Sequence, residues 1–117
     1  MQEIIERYLA GWNETDPAKR RELIDAVWAR DGSYTDPLAD VRGREALDQL
    51  IGAVQQQFPG FVFTLGGAVD AHHGQVRFSW HLAPDGAAEP VVIGFDVAVL
   101  DGDQIGSVYG FLDKVPG

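Results

Sequence analysis

The pattern of hydrophobic and polar positions divides the chain into a helical first half and a strand-rich second half. Three stretches of the first half place apolar residues three or four positions apart, the spacing of a helix with one buried face. The first stretch covers residues 2–13, and its apolar stripe is formed by Ile5, Tyr8, Leu9 and Trp12. We therefore predict a first helix over residues 2–13.

The second and third helices are marked by residues that begin or end a helix. Asp16 can cap a helix and Pro17 suits the first helical position, which predicts a second helix from here to about Asp31-Gly32. Gly43 can open the third helix and Pro59-Gly60 can close it. Their apolar stripes are Leu23, Ile24, Val27 and Trp28 in the second helix, and Leu47, Leu50, Ile51, Val54 and Phe58 in the third.

The strands are read from β-branched and aromatic residues between turn signals. A short strand is expected at residues 33–36, where Pro37 stops it. Four longer strands are expected at 61–71, 75–83, 91–100 and 105–115, joined by short turns as an antiparallel meander. Helices followed by a sheet is the α+β pattern, in which the helices cover one face of the sheet. We expect one domain over residues 1–117.

Composition and charge narrow the class of protein. A chain of 117 residues, 45% of them hydrophobic, suits one compact domain with room for one pocket. The net charge of −9 repels the phosphates of nucleic acids and anionic lipids, so neither is an expected partner. Without cysteine there are no disulfides or thiolate metal sites. The N-terminus carries acids and no long apolar run, so a cytoplasmic protein is the default expectation.

Two acidic residues stand out because apolar strand residues flank them. Asp96 lies in a stretch, 91–100, that is apolar on both faces and is expected to be a central, fully covered strand. Desolvation there would raise its pKa, and a neutral acid can donate a hydrogen bond to an oxyanion; otherwise Asp96 bonds a neighbouring Tyr or backbone amide. Asp36, before Pro37, is expected to be partly hydrated and ionised, as a general base should be. Its alternative role is an Asx-type turn.

Aromatic and histidine side chains complete the candidate chemistry. Tyr8 lies on a buried helix stripe, so its hydroxyl needs a partner and is a natural pocket donor. His72 and His73 are adjacent in a turn and His81 points away from the apolar face of its strand, so we expect no metal site. The following residues are each ordinary core residues taken singly and together could line an aromatic cavity: Trp12, Trp28, Tyr34 and Phe58.

Several short segments occur in an order found in a known superfamily. They are Arg7-Tyr8-Leu9, Trp28, Tyr34-Thr35-Asp36-Pro37, Arg42-Gly43-Arg44-Glu45, Phe95-Asp96-Val97 and Tyr109-Gly110-Phe111. This order resembles the ketosteroid isomerase and SnoaL-like branch of the nuclear transport factor 2-like superfamily, over essentially the whole chain. The resemblance implies a cone-shaped fold, in which a curved mixed or antiparallel sheet carries three N-terminal helices on its concave face and encloses a pocket.

The resemblance also implies roles for particular residues. In the isomerases an Asp before a Pro shuttles a proton, while a helix Tyr and a protonated strand Asp form an oxyanion hole. Asp36 would then be the base, and Tyr8 and Asp96 the oxyanion donors, with no cofactor. Trp28 and Ile51 stand where those isomerases have further tyrosines, so a steroid substrate is not implied. The residues expected to contact substrate are Trp12, Trp28, Tyr34, Ile51 and Phe58.

The expected function is therefore an isomerase or cyclase that removes a proton next to a carbonyl group, and other functions stay open. One is a non-catalytic binder of a small apolar ligand. Another is that the open sheet face, which bears Arg77, Ser79 and His81, is mainly a homodimer interface and that the cavity is vestigial. An epoxide hydrolase would need a pocket Arg and a dehydratase a pocket His, and both Arg77 and His81 are expected to point outward. A homodimer through the open sheet face is expected in every case.

Overall fold

The computed structural model describes residues 1–116, which form three helices and seven strands. The helices are α1 (Gln2–Asn13), α2 (Pro17–Val27) and α3 (Arg44–Gln57). The strands are β1 (Trp28–Asp36), β2 (Ala39–Arg42), β3 (Phe61–Leu65), β4 (Asp70–His72), β5 (Gln75–Pro84), β6 (Val92–Asp101) and β7 (Gln104–Lys114).

The starts of the helices agree with the sequence, but the end of α2 does not. Oδ2 of Asp16 accepts a hydrogen bond from the Lys19 amide at 3.2 Å, with Pro17 at the first position of the helix. The predicted end near Asp31-Gly32 is wrong, because α2 stops at Val27 and Trp28 is already extended, with φ −97° and ψ 140°. Trp28 pairs with Ile105 of β7. This pairing makes the backbone extended at a position where the apolar spacing alone predicts a helix.

The strands form one mixed sheet in the order β2-β1-β7-β6-β5-β3, and β4 also pairs with β5. β1 runs parallel to β7, and the other pairs are antiparallel. Three details correct the expected strands: β1 begins at Trp28, β2 is an additional strand, and the stretch 61–71 is divided into β3 and β4. At that division the Gly66 amide donates to the Ser79 carbonyl at 2.8 Å.

The helices cover the concave face of this curved, unclosed sheet, as the resemblance implies, so the chain has the nuclear transport factor 2-like α+β fold. β6 is central, and its inward residues Gly94, Asp96 and Ala98 are buried. Its outward residues are half-buried or exposed, so the expectation that both faces are covered is wrong for a single chain. Within residues 1–116, none of the helices has the length and apolar character needed to cross a membrane.

Candidate functional site

A cavity of about 540 Å³ opens between the helices and the concave face of the sheet. This volume is typical of pockets for small organic molecules, which are about 300–1,000 Å³. Its wall is mainly apolar and aromatic, and among its described lining residues none is Lys, Arg or His. The ionisable groups on the wall are the carboxyl groups of Asp36 and Asp96 and the hydroxyls of Tyr8 and Tyr34.

Asp96 projects into the cavity from the inward face of β6. It is 1% exposed, its Oδ2 accepts a hydrogen bond from the Tyr8 hydroxyl at 3.3 Å, and its Oδ1 is buried without a partner. Burial raises the pKa of Asp96 to about 7; the nearby Trp80 indole and the bond from Tyr8 lower it, and the charge of Asp36 raises it. A large fraction of Asp96 is therefore neutral at pH 7 and has a proton to donate, in agreement with the direction expected from the sequence.

Tyr8 lies beside Asp96 because α1 packs its buried face onto the sheet. Its ring contacts those of Trp28, with centroids 5.8 Å apart, and Phe78, at 5.5 Å. Burial raises the pKa of the Tyr8 hydroxyl well above its usual value, and the negative charge of Asp96 acts in the same direction. Tyr8 consequently keeps its proton at any ordinary pH and can serve as a hydrogen-bond donor.

Asp36 ends β1 and both caps a turn and lines the cavity. Its Oδ1 accepts hydrogen bonds from the amides of Leu38 and Ala39, both at 2.8 Å, which is the Asx-type turn foreseen as an alternative role. Its Oδ2 accepts a hydrogen bond from the Tyr34 hydroxyl at 2.7 Å. A carboxylate offers about four acceptor positions, so one position on Oδ2 remains after these three bonds. The partnership between Asp36 and Tyr34 was not predicted from the sequence.

Trp80 is a cavity residue that was not among the predicted site residues. It lies on β5 opposite Gly94 of β6, and its indole crosses that glycine so closely that a Cβ at position 94 would lie 2.1 Å from two ring atoms. The indole N–H also lowers the pKa of Asp96. A glycine inside an apolar strand often marks such a close approach, and Gly94 was the available signal.

The predicted contact residues divide into two groups. Trp12, Tyr34 and Phe58 line the cavity, whereas Trp28 and Ile51 are 2% and 1% exposed core residues that do not line it. The prediction that Trp28 and Ile51 belong to the cavity wall is therefore wrong. Trp28 is the first residue of β1, and its indole lies against Gly32, where a Cβ would come within 2.7 Å of the ring. Among residues 1–116, no three His, Asp or Glu side chains are grouped so as to hold a metal ion.

The chain is similar to known proteins over most of its length. Residues 5–107 match the family model of the SnoaL-like domain. A candidate isomerase of the SnoaL-like family from Agrobacterium tumefaciens is 42% identical, with 96% of each chain covered and a TM-score of 0.89. No curated protein is significantly similar to the chain.

Two more distant structures share the fold. A candidate ketosteroid isomerase from Kribbella flavida is 18% identical, with 97% of this chain and 78% of that chain covered and a TM-score of 0.71. A candidate polyketide cyclase from Sinorhizobium meliloti is 14% identical, with 92% and 93% covered and a TM-score of 0.72. At this identity the likeness concerns the fold alone.

Proposed function

The chain belongs to the SnoaL-like domain family, and from this membership and its cavity we propose that it is an acid/base enzyme that removes a proton next to a carbonyl group. The reaction would be an isomerisation or an aldol-type cyclisation of a small, largely apolar carbonyl compound. A positioned base and oxyanion donors can supply such catalysis without a cofactor.

The observation that carries this proposal is the buried Asp96 beside Tyr8. Asp96 is 1% exposed and has a pKa of about 7, and burying such a carboxyl group costs stability. This cost favours a functional role for Asp96. Both residues line the cavity, and the Asp96 Oδ1 that lacks a partner is free to donate or accept when a ligand arrives. With a ligand bound, the Tyr8 hydroxyl would turn from Asp96 Oδ2 to the oxygen of an enolate, and neutral Asp96 would donate to the same oxygen.

The base would be Oδ2 of Asp36. Asp36 and Asp96 both lie next to Gly110. A Cβ placed on this glycine would be 3.3 Å from the Asp36 Cβ and 2.7 Å from the Asp96 Oδ1. Base and oxyanion donors are thus within one small molecule's length. Oδ2 would take a proton from the carbon next to the carbonyl. The electron pair of that C–H bond would form a C=C bond, and the π electrons of the carbonyl would move to its oxygen. Returning the proton from Asp36 to another carbon gives an isomer. In a cyclisation the enolate carbon attacks a second carbonyl of the same molecule, and the alkoxide that forms takes up the proton held by Asp36.

The test replaces the base while keeping the turn. In Asp36→Asn the side-chain oxygen can still accept from the Leu38 and Ala39 amides, but it can no longer take a proton. Exchange of α-protons for deuterium in D₂O, followed by NMR over a panel of β,γ-unsaturated ketones and 1,3-dicarbonyl compounds, should be accelerated by the wild type. We expect Asp36→Asn to reduce that acceleration by about 100-fold or more.

The matched control for this test is Asp40→Asn. Asp40 is an exposed acid on β2 that accepts from the Thr35 hydroxyl at 3.1 Å and is not part of the cavity wall. It should leave exchange unchanged. Undiminished exchange in a folded Asp36→Asn protein would reject Asp36 as the base.

A second candidate function is a non-catalytic binder of a small apolar ligand. It is favoured by the three hydrogen bonds that already occupy Asp36, which give this carboxylate a structural role without any reaction. Titration with ionisable fluorescent phenols, which mimic an enolate, separates the two candidates. Binding of the ionised phenol that Tyr8→Phe and Asp96→Ala both weaken supports the oxyanion hole. Binding that neither change affects, without proton exchange, supports the binder.

Two further reactions known on this fold are less well supported. An epoxide hydrolase would use an Arg between two pocket acids, and a dehydratase would use a pocket His. Arg77 and His81 are on the outward face of β5, away from the cavity, as the strand alternation predicted.

A further inference from the structure

The indole N–H of Trp12 is a buried donor that the reaction above does not use. Trp12 lines the cavity, and its Nε1 is buried without a hydrogen-bond partner. Within residues 1–116 the other buried side-chain polar atom without a partner is Oδ1 of Asp96, in the wall of the same cavity. Both unsatisfied groups therefore belong to residues in the wall of one cavity.

Such a donor is unusual inside a folded protein. Buried tryptophans normally find a partner for the indole N–H, and an unsatisfied buried donor costs about 1–3 kcal/mol. The ring is also held in place, because its centroid is 5.4 Å from that of Tyr34 and 5.5 Å from that of Phe63. A donor fixed by its neighbours and left unpaired at a cavity wall is suited to an acceptor that is supplied by a ligand.

The position of Trp12 on α1 places this donor next to the proposed oxyanion site. Trp12 follows Tyr8 by four residues, which puts both on one face of the helix, and their ring centroids are 6.4 Å apart. The Trp12 N–H lies close enough to the Tyr8 hydroxyl to lower the pKa of that hydroxyl, although the two groups do not meet in hydrogen-bond geometry. Three potential donors, on Tyr8, Trp12 and neutral Asp96, thus lie near one another in the wall of the cavity.

We propose that Trp12 donates its indole N–H to an oxygen of the bound ligand, and that it thereby selects carbonyl, enolate or phenol compounds over hydrocarbons of the same shape. This inference rests on the proposed ligand cavity, but not on Asp36 as a base, because a non-catalytic binder would use the same donor.

The test compares two probes of similar shape, 2-naphthol and naphthalene, in Trp12→Phe and in the wild type. The substitution removes the N–H and keeps an aromatic ring. We expect it to weaken binding of 2-naphthol by about tenfold, the loss typical of one neutral hydrogen bond, and to leave naphthalene binding unchanged. Trp28→Phe is the matched control, since Trp28 is a buried indole outside the cavity wall. Equal losses for both probes, or no loss for either, would overturn the proposal.

A second measurement uses the wild-type protein and does not depend on the variant folding. The chain has three indole N–H groups, whose signals in ¹⁵N-labelled protein can be assigned by Trp→Phe substitution. If Trp12→Phe does not fold, the signal that remains in both Trp28→Phe and Trp80→Phe is that of Trp12. We expect the Trp12 signal to move downfield with 2-naphthol and to move much less with naphthalene. An unmoved Trp12 signal at saturating 2-naphthol would reject the donor role, even if Asp36→Asn abolished proton exchange. Loss of the exchange result alone would leave the donor role intact.

Discussion

The Tyr8 hydroxyl donates a hydrogen bond to Oδ2 of Asp96 at 3.3 Å, which joins α1 to the central strand of the sheet across 88 positions of the chain. The bond lowers the pKa of Asp96, but burial outweighs it and raises the pKa from 3.8 to about 7. The folded protein therefore binds this proton more tightly than the unfolded chain does. The stability that Asp96 contributes is fully present below pH 3.8 and is lost as the pH rises to about 7.

Asp96→Asn should remove this pH dependence, because an amide resembles the neutral acid in shape and cannot ionise. Relative to Asp96→Asn, the wild type should lose on the order of 4 kcal/mol of unfolding free energy between pH 4 and pH 8. Urea unfolding of both proteins at one-unit pH intervals measures the difference, and the remaining carboxylates act as an internal control because both proteins share them. A difference that stays constant with pH would show that Asp96 does not titrate in this range.

The contact between Trp80 and Gly94 predicts a second effect. In Gly94→Ala the new Cβ would lie 2.1 Å from the indole, so Trp80 must move out of its position at the cavity wall. We expect a loss of about 1–3 kcal/mol in unfolding free energy, as for other overpacked sites. The pKa of Asp96 should rise as well, because the Trp80 N–H lowers it in the native structure.

Gly67→Ala is the control for this substitution, since a Cβ at position 67 meets no heavy atom within 4 Å. Its stability should be close to that of the wild type. Urea unfolding reports the stability, and NMR of the side-chain carboxyl carbon reports the Asp96 pKa. Equal stabilities for the two alanine variants would show that Trp80 adapts to the added methyl group.

The features that could be predicted from the sequence were those determined within one element. The stripe of α1 is local, so its ends and the burial of Tyr8 and Trp12 followed from spacing. The unusual burial of Asp96 followed from its apolar neighbours. The boundary between α2 and β1 could not be read in this way, because Trp28 continues the apolar spacing of the helix and is drawn into the sheet by Ile105, far along the chain.

One part of the site that was missed depends on how strands pair. Trp80 reaches Asp96 only because it lies opposite Gly94, and this register is set by the whole of β5 and β6. The bond from the Tyr34 hydroxyl to Asp36 is different, because these residues are two positions apart on one face of β1 and the alternation of a strand could have indicated it. Side chains brought together by register leave little trace in the spacing of residues along one segment.

A buried ion pair links the two helices that follow α1 and gives a third prediction. Arg20 of α2 is 8% exposed, and it donates to Asp48 at 2.7 Å and to Gln55 at 2.9 Å, both on α3. Arg20→Ala leaves both acceptors without this partner in a partly buried place. We expect a loss of about 2–3 kcal/mol in unfolding free energy.

The neighbouring Arg21 is the control for Arg20→Ala. It pairs with Asp25 at 3.0 Å, but both side chains are nearly half exposed, so Arg21→Ala should cause no measurable change. Thermal or urea unfolding of the two variants side by side tests the contrast. Comparable losses at both positions would mean that burial does not decide the strength of these pairs.

The outward face of the sheet predicts self-association. Phe111 of β7 is 60% exposed and lies opposite Phe95 of β6, and Tyr109, 49% exposed, lies opposite Val97. An exposed apolar face of this kind can be covered by the same face of a second copy related by a twofold axis. We expect a homodimer in sedimentation experiments, and a shift to monomer in Phe111→Lys because the charge would be buried at the interface. Leu38→Lys, which changes a still more exposed apolar residue outside this face, should remain dimeric. A monomeric wild type would contradict self-association. A dimer that Phe111→Lys leaves intact would show that the interface is not on this face.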